Sequence, residues 1–273
     1  MSDDFQSKKA LEFFESTFAL SDQLKQDLSM SINPSIILVV GPARSGKSTL
    51  CNILLIPKLC PEKEIFLTDE GNTPVTMEIH YAIIKLSDLL RIHNLDIGSY
   101  IDSDLFIFDC EGIDSLGKVT ESLRKAIFTF LQISTVNIFV SKNIDRSNIY
   151  DLKSFFSLPQ LIGGSQPLSK GSAIVLTDNG VPGNPSEDEY EEKRRQNDEK
   201  ELDKVLAHLE QSQMNFSRNN ISFFAQPKWA KEKHYFESIN DLIRFIVNIT
   251  SIRVQIPGSN LIQIFEKCIP GIS

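Results

Sequence analysis

Gly41-Pro42-Ala43-Arg44-Ser45-Gly46-Lys47-Ser48-Thr49 carries the strongest chemical signal in the chain. It matches G-x-x-x-x-G-K-[ST], a turn in which glycines let successive backbone N–H groups face phosphate oxygens. Lys47 supplies a point charge to β and γ phosphates, and Ser48 offers a hydroxyl to Mg2+. A helix starting at this point adds its positive end. Nucleotide contacts are therefore expected from Gly41, Ala43, Arg44, Ser45, Gly46, Lys47, Ser48 and Thr49. Such a loop works with an acidic group at the end of a neighbouring strand and a backbone N–H near the terminal phosphate. Asp109-Cys110-Glu111-Gly112 offers both, Asp109 for the metal shell and Gly112 for the phosphate. Between the two motifs, Gly71-Asn72-Thr73-Pro74-Val75-Thr76 is a polar loop with two threonines. Either would complete Mg2+ coordination only when a γ phosphate is present, as a nucleotide switch requires.

These residues need a scaffold, and the apolar runs describe one. Ile36 to Val40 leads directly into the phosphate loop, and Leu105 to Phe108 leads into Asp109. Val136 to Val140, Ala173 to Leu176 and Ile221 to Ala225 are runs of the same kind. Short unbroken apolar runs suit strands covered on both faces. Met77 to Leu86 reads as a further strand, antiparallel and at the edge. Helix-compatible segments lie near 48–56, 119–133, 147–157, 187–212 and 236–250. Strands alternating with helices specify a three-layer α/β domain with a mostly parallel central sheet, here of the P-loop NTPase (G domain) kind. Leu11, Phe14 and Phe18 stand at helical spacing, which predicts a helix over 7–20 continued by Leu24 and Leu28. Asn33-Pro34 then ends it. The expected organisation is an N-terminal helical segment over 1–30 packed on the domain, the domain itself over 31–252, and a helical tail over 253–273. Ser186 with Glu189 forms a capping box that opens a crossover helix whose charges face water.

Composition narrows the function classes. The 273 residues carry 28 Lys+Arg against 36 Asp+Glu, a net charge of −8, so no excess positive field favours nucleic acid or an anionic membrane surface. No apolar stretch is long enough to span a bilayer. The acidic start Met1-Ser2-Asp3-Asp4 is not that of an export signal, and the 4 cysteines are scattered, so a soluble protein of the cytoplasm is expected. Cys51, Cys60, Cys110 and Cys268 have no C-x-x-C spacing and the histidines are dispersed, which argues against zinc.

Arg44 inside the phosphate loop, the D-x-E-G form of Asp109–Gly112 and the absence of N-K-x-D together resemble the guanylate-binding protein and atlastin family of large GTPases, within the dynamin superfamily. The resemblance covers roughly residues 30–252. It implies GTP as substrate and Mg2+ as cofactor. It also implies a transient homodimer, formed face to face through the G domain. In that family guanine is read by the Asp of a short Arg-Asp motif. Asp178 matches that Asp, and Thr177 stands where the Arg would be. The segment from Phe216 to Gln226-Pro227 resembles the family's strand leading into its base-capping loop. The resemblance makes Arg44 an arginine finger supplied in cis, with a surface arginine paired to a carboxylate as the alternative. Thr76 best matches the switch threonine, with Thr73 second, and Glu111 would help order the attacking water. The chain departs from the family at Glu78, where a glycine is usual, and at Pro74, where a serine is usual. Ser141-Lys142-Asn143-Ile144-Asp145 has the wrong spacing for a base-reading motif and is expected to be a loop.

The catalytic set expected from sequence is therefore Arg44, Lys47, Thr76, Glu111 and Gly112, with Ser48, Thr76 and Asp109 around Mg2+. A GTPase activated by dimerisation accounts for all of them. The departures at Pro74 and Glu78 leave open a sensor that binds GTP or GDP and barely turns over. Thr177 leaves open a phosphate-loop enzyme that uses ATP.

Overall fold

A strand buried on both faces needs apolar side chains pointing both ways, and the runs around residues 36, 106, 138 and 174 supply them. The computed structural model describes residues 6–13, 18–56, 64–68, 79–110, 120–142, 171–177, 186–210, 221–227, 232–252 and 256–268. In it β4 (Ser35–Val40), β7 (Val136–Ser141) and β8 (Ser172–Leu176) are buried at every position. Together with β1 (Lys8–Lys9), β5 (Ile79–Lys85), β6 (Asp104–Cys110) and β9 (Ile221–Ala225) they form a 7-stranded sheet in the order β1-β5-β6-β4-β7-β8-β9. β4 lies between β6 and β7, parallel to both, and β8 and β9 continue the parallel set. β5 runs antiparallel to β6 over their whole length, and β1 runs antiparallel to β5. Parallel strands point their carboxyl ends the same way, so the residues following β4, β6, β7, β8 and β9 gather along one edge of the sheet.

Alternation along β4 divides the core. Ile36 and Leu38 face a cluster with α1 (Asp22–Met30), α4 (Thr120–Ile133), α5 (Glu187–Glu210) and α7 (Gly258–Cys268). Ile37 and Val39 face the other, with α2 (Lys47–Leu55), α3 (Leu86–Ile92) and α6 (Glu232–Ile252). The result is a three-layer α/β domain. On the first face an aromatic chain ties the layers: Phe108 to Phe130 at 4.7 Å between ring centroids, Phe130 to Phe265 at 4.8 Å, and Phe265 to Phe18 at 6.1 Å. Gly258 lets α7 reach α1, because a Cβ there would sit 1.8 Å from the Leu28 carbonyl oxygen.

The N-terminal segment differs from the helix expected over 7–20. Lys8–Lys9 pairs with β5, and β2 (Leu11–Phe13) forms a two-stranded antiparallel hairpin with β3 (Phe18–Leu20). The reason is tertiary. The free edge of β5 needs backbone partners, and Ala10 N–H donates to the Ile79 carbonyl at 2.9 Å. Leu11 and Leu20 sit opposite one another in the hairpin, both buried, a pairing that i, i+3 spacing does not reveal. Helix begins only at Asp22, where the Ser21 hydroxyl accepts from the Leu24 N–H as N-cap. β5 is antiparallel as expected, but β1 covers its outer side, and Leu86 opens α3 rather than ending the strand. The segment 147–157 lies outside the described residues. No helix among the described residues is long and apolar enough to cross a membrane.

α5 carries the charges expected of a crossover helix, while Tyr190, Val205 and Leu206 are buried. Arg194 ties it to α6, bonding Glu191 at 3.1 Å and Asp241 at 3.2 Å. Beside this group burial pushes the Asp198 carboxyl up to about 7; Arg194 opposes the shift, and Glu191 and Asp241 reinforce it. A folded-state value above the ordinary 3.8 means that protonated Asp198 favours the fold at low pH, a contribution withdrawn as pH rises through 7. Asp198→Asn should therefore flatten the fall in Tm between about pH 4 and pH 7 and leave Tm at pH 4 and below almost unchanged. Thermal unfolding followed across that range checks it; a parallel fall in both proteins assigns the pH dependence to other groups.

Candidate functional site

The phosphate loop is shaped by close approach as much as by turn chemistry. Gly41, directly after β4, has φ +151° and presses on β7: a Cβ there would lie 2.0 Å from the Val140 carbonyl oxygen. Arg44 stands exposed at the tip with φ 60°, a left-handed conformation uncommon for a side-chain-bearing residue. Gly46, φ +93°, closes the loop as the N-cap of α2, and having no side chain it caps none of the helix's first N–H groups. Those groups have no partners within the helix and face the carboxyl edge of the sheet. Lys47, the first helical residue, is buried and its ammonium donates to the Pro42 carbonyl at 2.7 Å, which holds it back across the loop. Ser48 and Thr49 follow on the first turn.

On the neighbouring strand Asp109 is 2% exposed. Burial pushes its carboxyl above the usual range, and the Ser48 hydroxyl, the Lys47 charge and His80 pull the other way. His80 stands directly across the β5–β6 ladder from it. One carboxylate oxygen, Oδ1, has no hydrogen-bond partner. A buried carboxylate joined to a hydroxyl, with a bare oxygen beside a phosphate loop, is the donor set that a hard divalent cation takes. Ser48 and Asp109 therefore fit Mg2+. Cys51 and Cys110 are close by, but burial pushes both thiols well up, so they stay neutral and unreactive.

Thr177 has a role that its sequence position did not show. It follows β8, its N–H donates to the Ser141 carbonyl at 2.8 Å, and its hydroxyl donates to the Ser45 carbonyl at 2.7 Å. Its methyl group packs 3.5 Å from where a Cβ of Gly46 would be. Thr177 thus braces the phosphate loop from β8. The loop, Lys47, Ser48, Asp109 and Thr177 are brought together. Thr73, Thr76, Glu111, Gly112 and Asp178 lie outside the described residues. His80 escaped the sequence reading, and Gln226 entered it only as part of the segment leading into a base-capping loop. His80 meets Asp109 only through the antiparallel register. Elsewhere Glu191, His234 and Glu237 bring ligand atoms within 4.8 Å of one another, in the same α5–α6 region as the ion pairs described above.

No family model matches the chain, and no curated protein matches it. Among solved structures it is similar to one from work on the chloroplast translocon components atToc33 and psToc159, for which dimerization is important for the GTPase activity. That match has a TM-score of 0.48 and 16% identity over 85% of this chain and 88% of the other. It is also similar to Toc33 from Arabidopsis thaliana in complex with GDP and Mg2+, with a TM-score of 0.47 and 16% identity over 85% and 89%. The fold assignment rests on this chain's own strand order and loop geometry.

Two substitutions separate shape from bonding in the loop. Gly41→Ala should abolish binding of inorganic tripolyphosphate, since its Cβ cannot coexist with the Val140 carbonyl. Thr177→Val, which keeps the packing and removes the donor to Ser45, should weaken that binding roughly 5- to 10-fold, the worth of about one hydrogen bond. Titration calorimetry on folded protein reads both; unchanged affinity in Thr177→Val removes its role as a brace.

Proposed function

We propose that this chain is a Mg2+-dependent GTPase, converting GTP to GDP and phosphate, with a domain of the guanylate-binding protein and atlastin kind. The observation that carries it is the pairing of the phosphate loop after β4 with the buried, half-unpartnered Asp109 on the adjoining strand. The loop's N–H groups and Lys47 would hold the β and γ phosphates, drawing charge away from the bond that breaks. Ser48 and Asp109 would hold Mg2+, which when bound neutralises phosphate charge and orients the terminal group. Arg44, exposed at the loop tip, would supply positive charge once a second G domain closes over the site, which would make turnover depend on a transient homodimer. Sequence alone supports Thr76 (or Thr73) as the switch threonine, Glu111 and Gly112 around the attacking water, and Asp178 as the reader of guanine. Thr177 supports that reading indirectly, since its hydroxyl is spent on Ser45 and base recognition falls to its neighbour. The negative net charge supports no role with nucleic acid. Free Cys51, Cys110 and Cys268 suit the cytoplasm.

A second reading follows from Pro74 and Glu78, which stand where the family has a serine and a glycine. The chain would then bind GTP and GDP as a slow nucleotide sensor. An ATP-using enzyme has less support, given an Asp at position 178.

Lys47→Ala should abolish nucleotide binding. Arg44→Ala should keep GTP affinity within about threefold while lowering multiple-turnover phosphate release by up to the 10³–10⁵-fold that arginine fingers are worth in GTPases generally. Release per molecule should rise with protein concentration in the unmutated chain. A rate that is independent of concentration and insensitive to Arg44→Ala favours the sensor.

A further inference from the structure

We propose that Glu191, His234 and Glu237 form a binding site for one divalent cation of the Zn2+ class, bridging α5 and α6. The site is separate from the phosphate loop and does not depend on the GTP reading.

Two helix faces assemble the donor set. On α5, Glu187, Tyr190 and Glu191 fall at i, i+3 and i+4, and on α6, His234 and Glu237 fall at i and i+3, so each group shares one face. Where the helices meet, one ligand atom each from Glu191, His234 and Glu237 lies within 4.8 Å of the others. Zinc ligands about 2.1 Å from the metal stand roughly 3.4 Å apart in a tetrahedron, so side-chain shifts of about 1 Å close the set. The zinc patterns legible in a sequence are clusters of Cys and His. This set draws one imidazole and two carboxylates from separate helices, so no local spacing announces it.

The imidazole is held as a ligand is held. Its ring lies flat on Tyr190, with centroids 3.5 Å apart and planes 10° from parallel, and the side chain is 12% exposed. Nδ1 faces Glu237 at 2.9 Å, while Nε2, across the ring, faces the Glu187 carboxylate at 3.9 Å. Metal-bound histidines almost always turn their second ring nitrogen to a carboxylate, carbonyl or water, which fixes the tautomer. A proton on Nε2 is directed at Glu187 and leaves the Nδ1 lone pair for the cation. Stacking and the outer carboxylate thus restrain a ring that a simple surface ion pair would leave to rotate.

Charge and donor type then select the ion. Four carboxylates, Glu187, Glu191, Glu237 and Asp241, meet two cationic side chains, Lys233 on Glu187 and Arg194 between Glu191 and Asp241. The bond from Arg194 goes to Oε2 of Glu191, and a carboxylate has a second oxygen to offer. Mg2+ and Ca2+ prefer oxygen donors alone, whereas Zn2+ takes imidazole and carboxylate together. Three protein donors leave a fourth position for water. α5 packs with one layer of the core and α6 with the other, and β9 is the last strand of the sheet. A shared ion therefore clamps the two helical layers to one another around that edge.

Calorimetric titration of the full chain with Zn2+ tests the site, in buffer containing excess Mg2+ to supply Ser48 and Asp109. The unmutated chain should take up one Zn2+ with micromolar or tighter affinity, and its Tm should rise by about 5 °C at roughly 100 times Kd. His234→Phe keeps a ring against Tyr190 and should weaken Zn2+ by roughly 100-fold or more. Glu187→Gln, behind the imidazole, should cost about tenfold with the stoichiometry unchanged. Co2+ in place of Zn2+ should give a visible absorption band that His234→Phe abolishes. If His234→Phe fails to fold, Glu191→Gln, at a side chain 46% exposed, carries the same comparison. Zn2+ affinity that is equal in the unmutated chain and these variants, or only millimolar in the unmutated chain, overturns the site and leaves the cluster an ion-pair network.

Discussion

The close approach of the phosphate loop to its neighbouring strands is the constraint on which the site depends. The loop does not stand free at the end of β4. Gly41 presses against the Val140 carbonyl with no room for a methyl group, and Ser45 is held by the Thr177 hydroxyl. One contact comes from β7 and the other from the end of β8, so the loop's shape is fixed by three parallel strands and their register. An anion-binding turn gains from such bracing because N–H groups already aimed need little reorganisation when charge arrives. The left-handed backbone at Arg44 fits the same account: a non-glycine φ of 60° persists where the surrounding contacts leave the chain no alternative.

From this clamp the site extends in two directions along the sheet edge. Toward β6 it becomes buried and acidic, with Asp109 raised by burial and moderated by Ser48, Lys47 and His80. Toward β9 the described residues are uncharged, with the half-buried Thr177 and then the buried Gln226. That polarity arises from strand order alone, since β4, which bears the loop, sits in the middle of the seven. The helices do little chemistry beyond α2, whose N-terminus completes the loop. The remainder keep the strands dry on both faces and so keep their carboxyl ends in register.

Much of this was legible in the amino-acid order, for reasons that can be named. The runs at 36–40, 105–108 and 173–176 are apolar without interruption because both faces of their strands are covered, and those at 136–140 and 221–225 are broken only by Asn137 and Ser222, so their type could be read locally. The phosphate loop was legible because its glycines and lysine are required by backbone shape and charge. The 7–20 segment was not legible, because its fate is decided by the edge of β5, a partner about 70 residues away in the chain. Thr177 was matched to a base-reading motif by position, yet its hydroxyl turns to Ser45, a contact across 132 residues that no local pattern encodes. His80 was invisible for a similar reason: it gains its meaning from antiparallel register.

The two-residue β1 carries a consequence of its own. It lays Lys8 and Lys9 along the outer side of β5, opposite Tyr81 and His80, where a seven-residue strand would otherwise present a ladder of bare amides and carbonyls. A lysine-bearing cover of this kind discourages templated addition of foreign strands, the first step toward fibrillar aggregation. That flank of the sheet is thereby closed to the growth of an open-ended polymer, whatever the rest of the surface meets.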